Sequence, residues 1–423
     1  MTWSWPDRPR RVVVTGMGAV SALGNDVAST WAGLLAGRSG IEPVASFDPS
    51  RIDSRIAAEV KAFDPSKVLD RKDMRRTDRY IQFALVCSRQ ALDDAGFPDR
   101  LEGELAARTG AIIGSGLGGV STLFDNVLLM AERGPGRISP FFIPMGIANV
   151  GAGQVAIATG AIGPNFATVS ACATGGHAIG EAWETIRRGD ADVMLAGGVE
   201  AGIHEAIMGG FSSMKALSTR NDDPHGASRP FDRGRDGFVA GEGGGVLVLE
   251  ALEHAEARGA QPLAELAGYG ATADASHITL PAPGGIGAVR AARRALEKAG
   301  LEPTDIDHLN AHATSTYEGD KAELQAIRTI FGDHAPSVSV TANKSMIGHT
   351  LGAAGAIEAI ATIQALREGR IPPTINLVDP DEEAAGLDLT PLVERRRPLR
   401  AAISNSFGFG GQNTALLFKR WDA

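Results

Sequence analysis

The sequence has few cysteines, few aromatic residues and no long apolar run. Its 423 residues include only two cysteines, Cys87 and Cys172, which excludes a dense disulfide framework. No run of about 18 apolar residues occurs, and the first residues lack the apolar core of a signal peptide, so we expect no membrane span and a cytoplasmic location. Excess basic charge is also missing. The net charge of −9 argues against partners such as nucleic acid or an anionic membrane.

The composition that remains is that of a globular protein, with 43% hydrophobic and 22% charged residues. Short apolar segments alternate with amphipathic helices, which indicates βα units and a mainly parallel sheet covered on both faces. The alternation begins again after Gly259. The sequence therefore predicts an α/β fold in which residues 11–259 and 260–421 form two halves of similar organisation, as an internal duplication would produce.

Residues 163–176 carry Cys172 between an extended run, Phe166 to Ala171, and a predicted helix that ends near Arg188. The partial positive charge at a helix N-terminus favours the thiolate over the thiol, which makes this cysteine a candidate nucleophile. The alternative is a small buried side chain that only packs, as many free cysteines do. This segment alone leaves both interpretations open.

Two histidines and a lysine in the second half offer complementary chemistry. His312 follows a predicted strand, and Lys344 and His349 precede a predicted glycine- and alanine-rich helix. A thiolate attacks a thioester well, because the leaving group is another thiolate. Neutral histidines can donate N–H groups to the enolate that forms as a carboxylate leaves as CO2, and a nearby lysine keeps them neutral. This set predicts acyl transfer followed by carbon–carbon bond formation.

The segment 404–411 alternates aromatic residues with glycine. One interpretation is a tight β connection. The other is a mobile flap that carries Phe409 and turns a backbone N–H towards an oxyanion.

Residues 71–76 form a compact basic cluster in an acidic protein. A solvated loop is one interpretation of such a charge run. A docking patch for an acidic partner is the other, because local charge can oppose net charge.

Four motifs in this order resemble those of elongating β-ketoacyl-[acyl-carrier-protein] synthases of type II fatty-acid synthesis, near the KAS II branch. They are residues 170–175, 310–316, 344–349 and 405–411, and the resemblance runs from about residue 11 to 420. It implies a thiolase fold, with two βαβαβαββ halves stacked as five layers α-β-α-β-α, and a homodimer. The implied reaction is the decarboxylative condensation of an acyl chain with malonyl-acyl carrier protein, with no required cofactor.

The resemblance also implies roles for individual residues. Cys172 would carry the acyl chain, with its oxyanion between the backbone N–H groups of Cys172 and Phe409. His312 and His349 would promote decarboxylation, with Lys344 fixed behind them. Further implied positions are the lysine network Asp320 and Glu323; the acyl pocket and gate Leu117, Phe211, Thr279, Phe407 and Phe409; the pantetheine contacts Thr314 and Thr316; the carrier-docking patch Lys72, Arg75, Arg76 and Lys215; and a structural Na+ or K+ site at Asn310, Glu358, Ser404 and Asn405.

Two departures and several alternatives accompany the resemblance. Tyr317-Glu318 stands where proline and a small residue are commoner, at the pantetheine entrance, and Ala313 replaces a commoner glycine. The main alternative is the ketosynthase of a type II polyketide pathway. A non-catalytic chain-length partner would lack Cys172, a thiolase would need a second catalytic cysteine, and a priming synthase would carry Cys-His-Asn.

Overall fold

The computed structural model describes residues 9–422, and ten of its strands form one sheet. The first half of the chain contributes β1 (Val12–Val20), β2 (Thr109–Gly114), β3 (Asn165–Phe166), β4 (Val193–Glu200) and β5 (Gly243–Ala251). The second half contributes β6 (Ala264–Ala273), β7 (His308–Asn310), β8 (Ser339–Thr341), β9 (Ala401–Gly408) and β10 (Gln412–Arg420). Their order across the sheet is β8-β7-β9-β10-β6-β1-β5-β4-β2-β3.

The two groups of five strands repeat one pairing pattern. In each, the first strand is antiparallel to the fifth, the fifth is antiparallel to the fourth, and the fourth, second and third run parallel. The groups meet where β1 pairs with β6 through two residue pairs, Val13 with Glu265 and Val14 with Ala264. The backbone is thus repeated in the way that an internal duplication predicts. The expectation of a mainly parallel sheet is wrong, because five of the nine strand pairings in this sheet are antiparallel. The exact domain division at residues 259 and 260, which falls between β5 and β6, stays a prediction.

Fourteen α-helices lie within the described residues, and several begin at an aspartate whose carboxylate accepts a backbone N–H of the first turn, such as Asp26 and Asp78. None of these helices has both the length and the hydropathy to cross a bilayer. The helices are α1 (Val27–Leu35), α2 (Arg71–Met74), α3 (Arg79–Asp94), α4 (Gly103–Ala107), α5 (Val120–Arg133), α6 (Phe142–Gly146), α7 (Val150–Thr159), α8 (Thr174–Arg187), α9 (Glu205–Ser213), α10 (Leu252–Ala257), α11 (Ile286–Ala299), α12 (Tyr317–Phe331), α13 (Lys344–Ile347) and α14 (Ala354–Glu368).

Helices and strands stack as five layers. Helices α8 and α14 contact strands of both halves and therefore lie between the two groups of strands. Helix α3 covers the outer face of the first group, and α11 covers the outer face of the second. This is the α-β-α-β-α arrangement expected from the resemblance.

Side chains alternate along the strands between an outer and a central apolar layer. On β4, Val193 and Leu195 pack with α3, whereas Met194 and Ala196 pack with α8 and α14. On β10, Leu416 joins the central layer and Leu417 joins the outer layer under α11. Both faces of these strands are apolar because both are covered, which explains their continuous hydrophobic runs.

The N-termini of the two central helices meet. A Cβ at Gly175 would lie 2.9 Å from the backbone nitrogen of Ala356, and one at Gly355 would lie 2.7 Å from that of Gly176. Glycine is required at both positions because any side chain would separate the helices. This contact brings the Cys172 turn, just before α8, next to the 344–353 segment, just before α14.

Candidate active site

Cys172 lies in the 3₁₀ turn Ala171–Ala173 that enters α8. The extended run predicted before it is regular only at Asn165–Phe166, because the chain then turns sharply through Ala171, whose φ is 48°. The turn is held by a hydrogen bond of 2.8 Å from the Ser170 N–H to Thr174 Oγ1. Gly408 packs against it so closely that a Cβ there would lie 3.2 Å from the Cys172 nitrogen. Cys172 is thus placed at a tight junction between α8 and the end of β9.

The helix N-terminus favours the thiolate form of Cys172, but burial acts in the opposite direction. Burial raises the pKa of Cys172 to about 12, while the Lys344 charge and the backbone N–H of Phe409 lower that pKa less strongly. Desolvation is the largest of these effects, and it favours the thiol. The same N–H groups of Phe409 and Cys172 that face the sulfur are the pair expected to hold an oxyanion.

His312 and His349 are buried with their ring centroids 5.3 Å apart and nearly perpendicular. Burial, followed by the charge of Lys344, holds the pKa of both rings well below the usual 6.5, so both are neutral at physiological pH. Lys344 Nζ lies 3.5 Å from His312 Nδ1. An ammonium only donates, so Nδ1 is the bare nitrogen of His312 and Nε2 carries the proton.

Lys344 forms a buried ion pair with Glu358 of α14, not with the expected Glu323 and Asp320. Glu323 instead accepts the backbone N–H groups of His312 at 2.8 Å and of Ala313 at 2.7 Å, so it holds the strand end that carries His312. Burial raises the pKa of Glu323 and of Glu358 to about 7, and Lys344 opposes this rise in both.

Asp320 braces a neighbouring loop and does not bind Lys344. Its carboxylate accepts the backbone N–H groups of Phe231 at 2.8 Å and Ser315 at 3.1 Å, and it lies 3.7 Å from the buried guanidinium of Arg235. Burial raises the pKa of Asp320 to about 7. Its role is therefore to shape the 313–319 loop at the cavity entrance.

A cavity of about 540 Å³ joins the reactive groups to the surface. Its walls include Cys172 and both histidines, and most predicted pocket positions lie on it. The Phe409 ring lies 6.5 Å from that of Phe211, and the Phe407 ring lies 5.3 Å from His312. The predicted positions that line the cavity are Leu117, Phe211, Thr279, Thr314, Thr316, Phe407 and Phe409.

The mouth of the cavity contains the two residues that depart from the family pattern. Tyr317 and Glu318 both line it, and the Tyr317 ring lies over the Arg235 guanidinium at 5.0 Å. Thr314 Oγ1 and Thr316 Oγ1 share a hydrogen bond of 3.0 Å beside them. The aromatic flap is bonded to the opposite loop, because the Gly410 N–H donates to the Ile278 carbonyl at 2.7 Å.

The predicted docking residues are on the surface, in two places. Lys72, Arg75 and Arg76 lie exposed on and after α2 and do not line the cavity. Lys215 is exposed at the cavity mouth and pairs with Asp53 at 2.9 Å.

The residues predicted to hold a cation share one feature, which is a buried oxygen with no hydrogen-bond partner among the described residues. Alkali cations take oxygen ligands of this kind, so the donor set fits such an ion. The oxygens are Asn310 Oδ1, Glu358 Oε2, Ser404 Oγ and Asn405 Oδ1.

Sequence reasoning missed Glu200 and Arg235, both of which line the cavity. Glu200 is fully buried and ends a strand whose other residues are apolar or glycine, and an acidic residue in that position was the available signal. Arg235 lies in a charged loop, where nothing in the sequence separates it from its exposed neighbours.

Known beta-ketoacyl synthases resemble this chain in both sequence and structure. The family model described as beta-ketoacyl synthase, N-terminal domain, matches residues 9–255, and the C-terminal domain model matches residues 263–378. A 3-oxoacyl-[acyl-carrier-protein] synthase 2 from Synechocystis sp. is 49% identical over 97% of this chain and 98% of its own. A beta-ketoacyl synthase structure from Burkholderia phymatum has a TM-score of 0.91 at 38% identity, covering 98% and 100% of the two chains. A type II PKS ketosynthase in complex with its acyl-carrier protein has a TM-score of 0.90 at 32% identity, with the same coverage.

Proposed function

Because the chain belongs to the beta-ketoacyl synthase family, we propose that it joins an acyl chain held on Cys172 to a malonyl unit on acyl carrier protein. The reaction is a decarboxylative Claisen condensation that gives 3-oxoacyl-acyl carrier protein in fatty-acid elongation. The observation that carries this proposal is one cavity in which a buried thiol faces two buried, neutral histidines. The relatives named 3-oxoacyl-[acyl-carrier-protein] synthase 2 support it.

The first half-reaction loads the acyl chain. The Cys172 sulfur attacks the thioester carbonyl of the acyl carrier, the bond to the carrier sulfur breaks, and the carrier thiolate takes the proton that Cys172 loses. The carbonyl oxygen becomes negative in between, and the N–H groups of Cys172 and Phe409 stabilise it. Since the resting thiol has a raised pKa, the proton leaves during this step rather than before it.

The second half-reaction uses the histidines. The malonyl thioester carbonyl accepts N–H groups from His312 and His349, and loss of CO2 leaves an enolate on that oxygen. Neutral rings suit this step, because they hold their protons while they donate. The enolate carbon then attacks the acyl thioester, the bond to Cys172 Sγ breaks, and the thiolate takes a proton from solvent.

Acyl carrier protein is the proposed partner. A similar solved structure contains a type II PKS ketosynthase in complex with its acyl-carrier protein, and this chain has exposed cations both at the cavity mouth and on α2. Lys72, Arg75 and Arg76 would meet the acidic surface of the carrier, and Lys215 would meet it at the cavity mouth.

A structural monovalent cation is proposed at the four unpartnered oxygens near Lys344. Asn310, Glu358, Ser404 and Asn405 would hold Na+ or K+, which when bound would neutralise buried oxygen charge beside the Lys344 pair and take no part in bond making. Replacing both ions with tetramethylammonium should lower Tm in wild type. It should have no effect in Asn405→Leu, and equal Tm values in all salts for wild type would remove this site.

The proposed assembly is a homodimer in the cytoplasm, where both free cysteines stay reduced. Strand β3 forms an open edge of the sheet, and three apolar side chains near it are exposed, Ile162, Phe166 and Val169. A second copy that pairs along this edge would cover backbone and apolar surface together.

The test of the proposal separates the two half-reactions. Wild type, Cys172→Ala and the matched control Cys87→Ala are assayed for malonyl-carrier decarboxylation and for condensation with acyl carriers. We expect Cys172→Ala to lose condensation and keep decarboxylation, and Cys87→Ala to keep both with a lower Tm. Wild type that condenses no acyl carrier would overturn the proposal.

A second candidate is a polyketide ketosynthase, favoured by the likeness to the type II PKS ketosynthase. It differs in its substrate, which would be a chain that keeps its β-keto groups. Repeated condensation on 3-oxoacyl carriers, with little activity on saturated ones, would select this candidate.

A further inference from the structure

Glu200 is a fully buried carboxylate that no step of the proposed reaction uses. It ends β4, and its two oxygens accept four hydrogen bonds from two different turns. The donors to Oε1 are Ser115 Oγ at 2.7 Å and the Leu117 N–H at 3.1 Å, and the donors to Oε2 are the N–H groups of Gly116 at 2.9 Å and Gly352 at 2.9 Å.

The two turns that Glu200 joins form one wall of the cavity. Leu117 comes from the turn after β2 and Leu351 from the turn before α14, and both line the cavity. A Cβ placed on Gly202 would lie 3.2 Å from Leu117 Cδ1 and 3.3 Å from Leu351 Cδ1, so the two side chains meet there. Gly202 does not line the cavity and therefore lies behind the leucines.

A carboxylate is well suited to hold such a wall. It only accepts, so four N–H and O–H donors saturate it, and bonds to a charged acceptor are roughly twice as strong as neutral ones. An amide in its place would offer one oxygen and turn an NH2 group towards donors. The turns would then lose their common attachment, while the apolar packing of the strand would be unchanged.

We propose that Glu200 is a positioning residue that sets the depth of the acyl pocket by holding Leu117 and Leu351 together. This inference rests on the proposed condensation of acyl chains. One methylene group in an apolar pocket changes kcat/KM by about 10-fold or more, so a wall that moves by one carbon changes which chain lengths are accepted.

Two variants move the wall in opposite directions. Glu200→Gln releases the turns and lets the leucines withdraw. Gly202→Ala pushes the leucine ends towards the cavity by a few tenths of an ångström, because its methyl group would contact both. The matched control is Glu250→Gln, another fully buried carboxylate. Glu250 pairs with Val193 on β4, seven residues from Glu200 and so about 23 Å away.

The measurement is kcat/KM for acyl carriers from about four to sixteen carbons, with Tm recorded for each variant. We expect Glu200→Gln to raise the ratio of long-chain to short-chain kcat/KM about tenfold, and Gly202→Ala to lower it. Glu250→Gln should lower Tm and leave the ratio unchanged.

Other outcomes overturn the inference. If Glu200→Gln and Glu250→Gln reduce all chain lengths in the same proportion, Glu200 is only structural. If Glu200→Gln does not fold, an unchanged profile for Gly202→Ala is decisive against it. If wild type shows no condensation, the proposed function is refuted and the inference with it. If wild type condenses acyl chains but both variants keep its chain-length profile, only the inference is refuted.

Discussion

The raised pKa of Cys172 predicts a slow thiol in the free protein. With a pKa of about 12, the thiolate fraction at pH 7 is about 3,000-fold lower than for an ordinary cysteine of pKa about 8.5. A thiolate of higher pKa is also more nucleophilic. With a Brønsted slope of about 0.45, the rate constant of the thiolate itself is about 40-fold higher. Cys172 should therefore exchange with a small aromatic disulfide about 80-fold more slowly than a free cysteine at pH 7.

The pH dependence tests this reasoning more sharply than the absolute rate. Between pH 7 and 10 the rate should rise about tenfold per pH unit without a plateau, because the whole range lies below the pKa. Limited access to a buried sulfur lowers every rate and leaves the slope unchanged. Cys172→Ala gives the background from Cys87. A plateau near pH 7 would show a resting thiolate, and the helix terminus would then outweigh burial after all.

Three further predictions concern the Lys344 ion pair, the two histidines and the basic cluster on α2. In tetramethylammonium salt, where no alkali cation binds Glu358, Lys344→Met leaves Glu358 buried without its partner and should lower the free energy of unfolding by about 3 kcal/mol, measured by urea denaturation; no loss would show that the ion pair does not stabilise the fold. Protonation of His312 and His349 should lower decarboxylation only well below pH 6.5, because burial and the Lys344 charge hold the pKa of both rings below 6.5. Glu323 and Glu358 titrate near pH 7, so the control is the same profile in Glu323→Gln and Glu358→Gln; a fall at pH 6.5 that persists in both variants contradicts this. The double variant Arg75→Glu, Arg76→Glu should raise KM for acyl carrier about tenfold, and by less at high salt, because the lost contacts are electrostatic. KM for a short acyl-pantetheine should be unchanged. Equal effects on both substrates would place these arginines outside the docking surface.

The layered fold was predictable because its signals are local. Apolar runs such as residues 193–196 and 246–249 are covered on both faces, and this burial removes the polar alternation that an exposed sheet would show. A few helix starts carry a local signal of the same kind, such as Asp26 and Asp78, whose side chains accept a backbone N–H of the first turn. The short extent of β3 was not predictable, because the turn at Ala171–Ala173 packs against Gly408, which lies far away in the sequence.

The partners of the charged residues were harder to predict than the reactive residues themselves. Cys172, His312, Lys344 and His349 stand out by their motifs, but Glu358 is one acidic residue in an alanine-rich helix. Its pairing with Lys344 depends on how α13 and α14 cross, which spacing along the chain does not encode. The raised pKa of Cys172 is hard to predict for a related reason, since burial is a property of the folded packing, whereas the helix terminus is visible in the sequence.

The repeated backbone contains two equivalent turns, of which one carries the proposed nucleophile and the other does not. The turn at Ala171–Ala173 before α8 has a counterpart at Leu351–Ala353 before α14, and the first residues of both have positive φ, 48° and 49°. Cys172 therefore corresponds to Gly352. The strands beside them end in Gly408 and Glu200 respectively, at equivalent places in β9 and β4.

The residue at the strand end, Gly408 or Glu200, determines whether the backbone N–H of the adjacent turn is free. Gly408 has no side chain, so the Cys172 N–H stays free to face an oxyanion, whereas the Glu200 carboxylate occupies the N–H of Gly352. One copy of the turn thus keeps an open N–H beside a nucleophile. The second turn has neither an open N–H nor a cysteine, and it forms part of the cavity wall. Its N–H is bound by Glu200, which takes no part in the proposed chemistry although it lies close to the site.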